Sequence, residues 1–135
     1  MKNAALALFL LSLTPLPEGD TGIASKYPGD VGIAADPSVL FHDDFEGTAS
    51  AAELPLKWNA GVWQPGLVRI AEEPANVNSG NRAVEMTLPV TTTELGDALC
   101  RWLNPEQDVV HLRFYAKYMA GFSAPYTSRH DGGGI

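Results

Sequence analysis

His111, Arg113, Tyr115 and Lys117 stand two residues apart within Asp108–Met119. In an extended chain that spacing projects all four side chains from one side, about 7 Å apart. An aromatic ring beside a guanidinium and an ammonium suits an anionic sugar. The ring covers an apolar sugar face, and the cations pair with a carboxylate or sulfate. His130, in Ser128-Arg129-His130-Asp131 ahead of Gly132-Gly133-Gly134, adds a titrating imidazole. If that segment pairs beside the long strand, His130 faces Tyr115 or Arg113 across the sheet. The group then holds what β-elimination at a uronic acid requires. A cation neutralises the carboxylate, a base takes the C5 proton, and an acid serves the leaving oxygen. The competing reading is a solvated outer strand face with a loop histidine. Periodicity alone leaves both open.

A second candidate is His42-Asp43-Asp44-Phe45-Glu46. Read as a strand end, it places Asp44 and Glu46 on one side and Asp43 on the other. Hard carboxylate oxygens, joined by loop carbonyls, could hold Ca²⁺ there. The spacing matches no EF-hand, and solvated acids flanking core Phe41 and Phe45 are the alternative. Cys100 is the lone cysteine, so no intrachain disulfide forms, and it reads as a small buried hydrophobe. Trp58, Trp63 and Trp102 read as core or rim packing; exposed, they would suit a sugar platform.

The elements that must position these residues read as β. Short apolar runs alternate with turn signals from Val39 onward. The expected strands are Val39–Phe45, Lys57–Trp63, Leu67–Ala71 and Ala83–Leu88, the last fed by the Ser79-Gly80 turn. Glu94–Leu103 fits a helical stripe or a strand, and Gly96 with strands on either side favours the strand. In Asp108–Met119, Val110, Leu112, Phe114, Ala116 and Tyr118 share one face that is expected to be buried. Asn104-Pro105 and Gly121 supply turns on either side, and Tyr126–His130 is a candidate partner strand. Many strands and no firm helix point to a sandwich of antiparallel sheets.

At the front of the chain, Lys2 precedes the apolar run Ala4–Leu13, which Thr14-Pro15 ends. Ten helical residues rise about 15 Å, half of what a bilayer core needs, so this is no membrane span. It reads as a secretory signal peptide over residues 1–24, with Gly22-Ile23-Ala24 at the cleavage site, and hence as a secreted or periplasmic protein. Residues 25–38, dense in Pro, Gly and Asp, read as an irregular leader. Residues 39–135 read as a β-sandwich domain.

The 135 residues carry a formal charge of -7. That balance argues against nucleic acid as a partner, because a binder gains from counterion release only through a basic footprint. The charge is unevenly spread. Residues 27–56 contain six acids and no Lys or Arg, whereas residues 101–135 contain four bases and three acids. Bases collected around one strand attract a polyanion locally although the whole chain repels it.

Several motifs are familiar. Tyr27-Pro28-Gly29-Asp30 through Val39–Gly47 resembles the opening of secreted bacterial proteins with a concanavalin A-like jelly-roll sandwich. Val77–Met86 resembles their segment in which a Ser-Gly turn leads into a core strand. Leu112–Tyr118, then Gly121-Phe122 and Gly132-Gly133-Gly134, is similar to the central strands of polysaccharide lyases of the alginate-lyase type. The likeness spans residues 26–135 in short motifs. It implies an all-β jelly roll of which this chain is the N-terminal part, with a concave sheet that binds an acidic polysaccharide. By the same resemblance Tyr115, Lys117 and His130 are the catalytic positions, and His111 and Arg113 bind substrate. Two features depart from the pattern: no lysine follows the glycine run, and the strands that complete the lyase cleft are missing.

The leading expectation is thus an exported protein that binds an acidic polysaccharide and could cleave it by β-elimination. The alternatives are a non-catalytic carbohydrate-binding or laminin-G-like adhesion module, and a structural surface domain without a sugar ligand.

Overall fold

A computed structural model describes residues 21–122, apart from residues 63, 65 and 93–95. The chain divides after His42 into two units. Of the expected leader peptide, residues 1–20 lie outside the described residues, as do Tyr126–His130 and the glycine triplet.

In the first unit, three single turns of 3₁₀ helix follow one another at Ala24–Lys26, Pro28–Asp30 and Ile33–Ala35. Proline opens the second, and left-handed Gly29 and Gly32 break the run, so no longer helix can propagate. Asp36 ties the segment together. It accepts hydrogen bonds from the Ser38 amide at 2.8 Å and the Tyr27 hydroxyl at 3.0 Å. The Ser38 amide, with Tyr27 behind it, holds the Asp36 carboxyl below its ordinary value, and the bond to Asp36 pushes the Tyr27 phenol up.

The second unit carries four short strands: β1 (Ala60–Val62), β2 (Val68–Ala71), β3 (Ala83–Met86) and β4 (Ala98–Cys100). They form two antiparallel two-stranded sheets, β1 with β4 and β2 with β3. In the second sheet Val68 pairs with Met86, Arg69 with Glu85, Ile70 with Val84 and Ala71 with Ala83. This register sets opposite charges across from each other, the arrangement that favours a cross-strand pair. Arg69 donates to Glu85 at 2.8 Å through Nε and to Glu73 at 2.9 Å through Nη1, and Asn76 donates to Glu85 at 3.0 Å. The guanidinium holds the Glu73 carboxyl below the ordinary glutamate value.

A 3₁₀ segment at Ala51–Leu56 packs on β2. Glu53 fixes its start by accepting the Ala49 amide at 2.9 Å. Leu54 of this segment, 1% exposed, is buried with Val68 and Ala71 of β2, and Thr48 is buried as well. Full burial of a leucine side chain contributes about 1.5–3 kcal/mol, so Leu54 is a substantial contributor to the unit's stability.

Three expectations from the sequence need correction. Residues 39–45 carry no strand pairing among the described residues. Instead Asp43 and Asp44 each accept the amide two residues on, and Phe45 has φ of +62°. Turn-forming Asx bonds and a left-handed residue displace the extended backbone a strand requires. In the ambiguous segment the strand is the outcome at Ala98–Cys100. There Leu99 takes the half-buried side, so Cys100 on the opposite side is exposed rather than buried. The third correction concerns residues 108–119, which lie in no ladder among the described residues. Leu112, Phe114 and Tyr118, expected in a core, are 51%, 52% and 50% exposed. Alternation sorts side chains onto faces, but only an opposing layer buries one of them.

Candidate functional site

Two places in the second unit gather groups able to bind a ligand. The first is the polar side of residues 111–117. Arg113 hydrogen-bonds the Tyr115 hydroxyl, and its guanidinium carbon lies 5.3 Å from the Tyr115 ring centroid. The i, i+2 spacing places the two side by side, and the contact adds a cation–π attraction to the hydrogen bond. Tyr115 remains 40% exposed. Lys117, two residues on, donates to the Ala75 carbonyl, which ties this segment to the loop before β3. An ammonium has three N–H donors, so this bond leaves two for other acceptors. His111 is exposed. The structure thus joins Arg113 to Tyr115 and turns Lys117 toward the 74–77 loop. His130 lies outside the described residues.

The second place is a cleft of about 600 Å³ bordered by Glu46, Glu72, Asn78, Ser79, Asn81 and Arg82, with Pro74, Val77 and Gly80 completing it. Its walls are braced from within. Oε1 of Glu46 accepts the Asn81 and Arg82 amides at 2.7 and 2.8 Å, and Oε2 accepts the Asn81 side-chain amide at 3.3 Å. The two backbone donors hold the Glu46 carboxyl below its ordinary value. Arg82 donates through Nε to Glu72 at 3.0 Å and through Nη1 to the carbonyls of Glu46 and Thr48. Gly80 has φ of +74°, and a Cβ there would overlap the Glu46 carboxylate, so this turn needs glycine on two counts.

At Asp44 and Glu46, the residues of the calcium expectation, the carboxylates serve the local backbone. The Glu46 oxygens already serve three donors, and Asp44 Oδ1 accepts the Glu46 amide at 3.1 Å. No group of three or more His, Cys, Asp or Glu able to hold a metal occurs among the described residues.

Asp43 has a different part from the one its spacing suggested. Its carboxylate, 3% exposed, accepts from Lys57 at 2.7 Å, from Trp58 Nε1 at 2.6 Å and from the Phe45 amide at 3.0 Å. Phe45 and Trp58 stack with centroids 6.2 Å apart. Of the other tryptophans, Trp63 lies outside the described residues. Trp102 is 73% exposed, its backbone held by a reciprocal pair of bonds with Asn59. That exposure corrects the reading of Trp102 as packing.

The cleft residues Glu72, Asn78, Asn81 and Arg82 were missed in the sequence. Ser79-Gly80 marked a turn, but nothing local shows that Glu46, more than thirty residues earlier, folds back to cap it. Compared with known proteins, the chain matches no family model, no curated protein and no solved structure. Among the described residues no helix is long and apolar enough to cross a membrane.

Proposed function

We propose that this chain belongs to an exported carbohydrate-binding protein of the jelly-roll type, and that the side bearing Arg113, Tyr115 and Lys117 engages an acidic polysaccharide. The observation that carries the reading is the exposed Arg113–Tyr115 pair. A ring already covered at its hydroxyl end by a guanidinium offers a sugar both an apolar face and a fixed positive charge. Fixing the cation beforehand lowers the ordering cost that a free arginine side chain pays on binding. Lys117 and His111, on the same side of an extended chain, lengthen the surface to match a chain-like ligand. Exposed Trp102 adds a second aromatic surface of the kind that stacks on sugars.

Binding needs only these groups. Cleavage by β-elimination needs in addition a proton-transfer partner held beside Tyr115, the role expected of His130, which lies outside the described residues. The test is retention on immobilised alginate together with absorbance of the unsaturated product during incubation with soluble alginate. Retention is expected, and retention without absorbance limits the reading to binding. Retention with absorbance extends the reading to a lyase, and passage of the chain at low salt without delay contradicts it.

A further inference from the structure

We propose that the cleft between Glu46, Glu72 and the 77–82 turn is a second sugar subsite, which takes an uncharged, hydroxyl-rich unit. The choice of a sugar rests on the polysaccharide reading above. The preference for an uncharged unit rests on how the cleft's charges are spent. Arg82 is committed to Glu72 and to two carbonyls, and Glu46 to the Asn81 and Arg82 donors. Nη2 of Arg82 keeps its two donors and Oε2 of Glu72 its lone pairs, so both can still hydrogen-bond a sugar hydroxyl without breaking a bond that builds the cleft. Two carboxylates against one guanidinium leave a residual negative charge, which disfavours a uronate or sulfated unit.

Neutral groups stand beside them. Asn78 and Ser79 are exposed, and their side chains make no hydrogen bond among the described residues. Oδ1 of Asn81 remains an acceptor while its amide nitrogen serves Glu46. Pro74 and Val77 add apolar surface between these polar groups. Neutral donors and acceptors interleaved with small apolar patches complement a sugar ring, whose hydroxyls alternate with C–H faces. A volume of about 600 Å³ is of the size small-molecule sites have.

The cleft also lies next to the basic side of residues 111–117. Lys117 bonds the carbonyl of Ala75, and Pro74 and Val77 on either side of that residue line the cleft. A ligand crossing both places would present an acidic unit to Arg113, Tyr115 and Lys117 and an uncharged unit to Asn78 and Ser79. The substrate class is therefore a mixed polysaccharide of acidic and neutral sugars.

The test uses the full chain, ¹⁵N-labelled, titrated separately with maltotriose, cellotriose, mannotriose and trimannuronate to about 10 mM, where millimolar binding registers. At least one neutral trisaccharide is expected to move the side-chain amide signals of Asn78 and Asn81. Asn78→Ala combined with Ser79→Ala should weaken that binding at least tenfold while leaving the melting temperature and alginate retention unchanged. Tyr115→Ala should do the reverse, reducing alginate retention and sparing the neutral sugar. If no neutral trisaccharide moves these signals, or trimannuronate moves them more strongly, the subsite is overturned even where alginate is retained. If the signals move but Tyr115→Ala leaves alginate retention intact, the cleft stands and the acidic-polysaccharide reading falls.

Discussion

The β2–β3 pair and residues 108–119 share a sequence pattern and differ in nearly everything else. Both alternate apolar and polar side chains. In β2–β3 every residue has a cross-strand neighbour, Arg69 bridges to Glu85 and Glu73, and the segment carrying buried Leu54 packs on β2. In residues 108–119 Leu112, Phe114 and Tyr118 stand half exposed, and the polar side carries the Arg113–Tyr115 bond and a bond from Lys117 to the distant Ala75 carbonyl. The difference teaches that alternation is a readiness to pair, not evidence of pairing. Stability is therefore expected to concentrate in the braced pair, while residues 108–119 are the segment for which we propose recognition.

The largest effect should come from opening the braced side. Leu54→Ala truncates the largest fully buried side chain among the described residues and should cost about 2–5 kcal/mol in denaturant unfolding. Phe114→Ala, an equally apolar deletion in the bare segment, should cost about 0.5 kcal/mol or less. Comparable losses would show that residues 108–119 are packed as tightly as β2. Next in size is Asp43→Ala. It strips an acceptor from Lys57, Trp58 Nε1 and the Phe45 amide and should cost about 1–3 kcal/mol by the same measurement. A neutral result would mean that solvent replaces those three bonds freely.

How far these contrasts were legible in the sequence depended on the range of the interaction. Strands β2 and β3 were visible because their alternation and the Ser79-Gly80 turn are local. The failure at residues 39–45 had a visible cause only in hindsight: Asp43-Asp44 invites Asx turns, yet Phe41 and Phe45 imitate a strand. Arg113, Tyr115 and Lys117 were legible as a set because i, i+2 spacing alone defines a side. The cleft was not. Glu46 reaches Asn81 and Arg82 across a sequence gap that no local pattern encodes, and Asp43 reaches Lys57 and Trp58 in the same way.

Smaller effects sharpen the contrast at the cleft. Gly80→Ala combines a left-handed backbone with a Cβ aimed at the Glu46 carboxylate. It should destabilise by about 1–3 kcal/mol in thermal or denaturant melts. Glu46→Gln keeps the shape and removes the charge. Because the folded state holds the Glu46 carboxyl below its ordinary value, its contribution is present above that value. It is lost as pH falls through the lowered folded value. Between pH 6 and pH 3 the native chain should therefore lose more melting temperature than Glu46→Gln does. Parallel losses would mean that the capping bonds do not depend on the carboxylate charge.

The central claim is that the Arg113–Tyr115 side recognises an acidic polysaccharide without holding the fold together. Retention of Tyr115→Ala on alginate, measured beside its unfolding free energy, tests it most directly. Removing the ring should weaken retention about tenfold, as loss of one aromatic contact does, and change stability by no more than about 0.5 kcal/mol. Unchanged retention, or a stability loss several times larger with binding intact, would contradict the account.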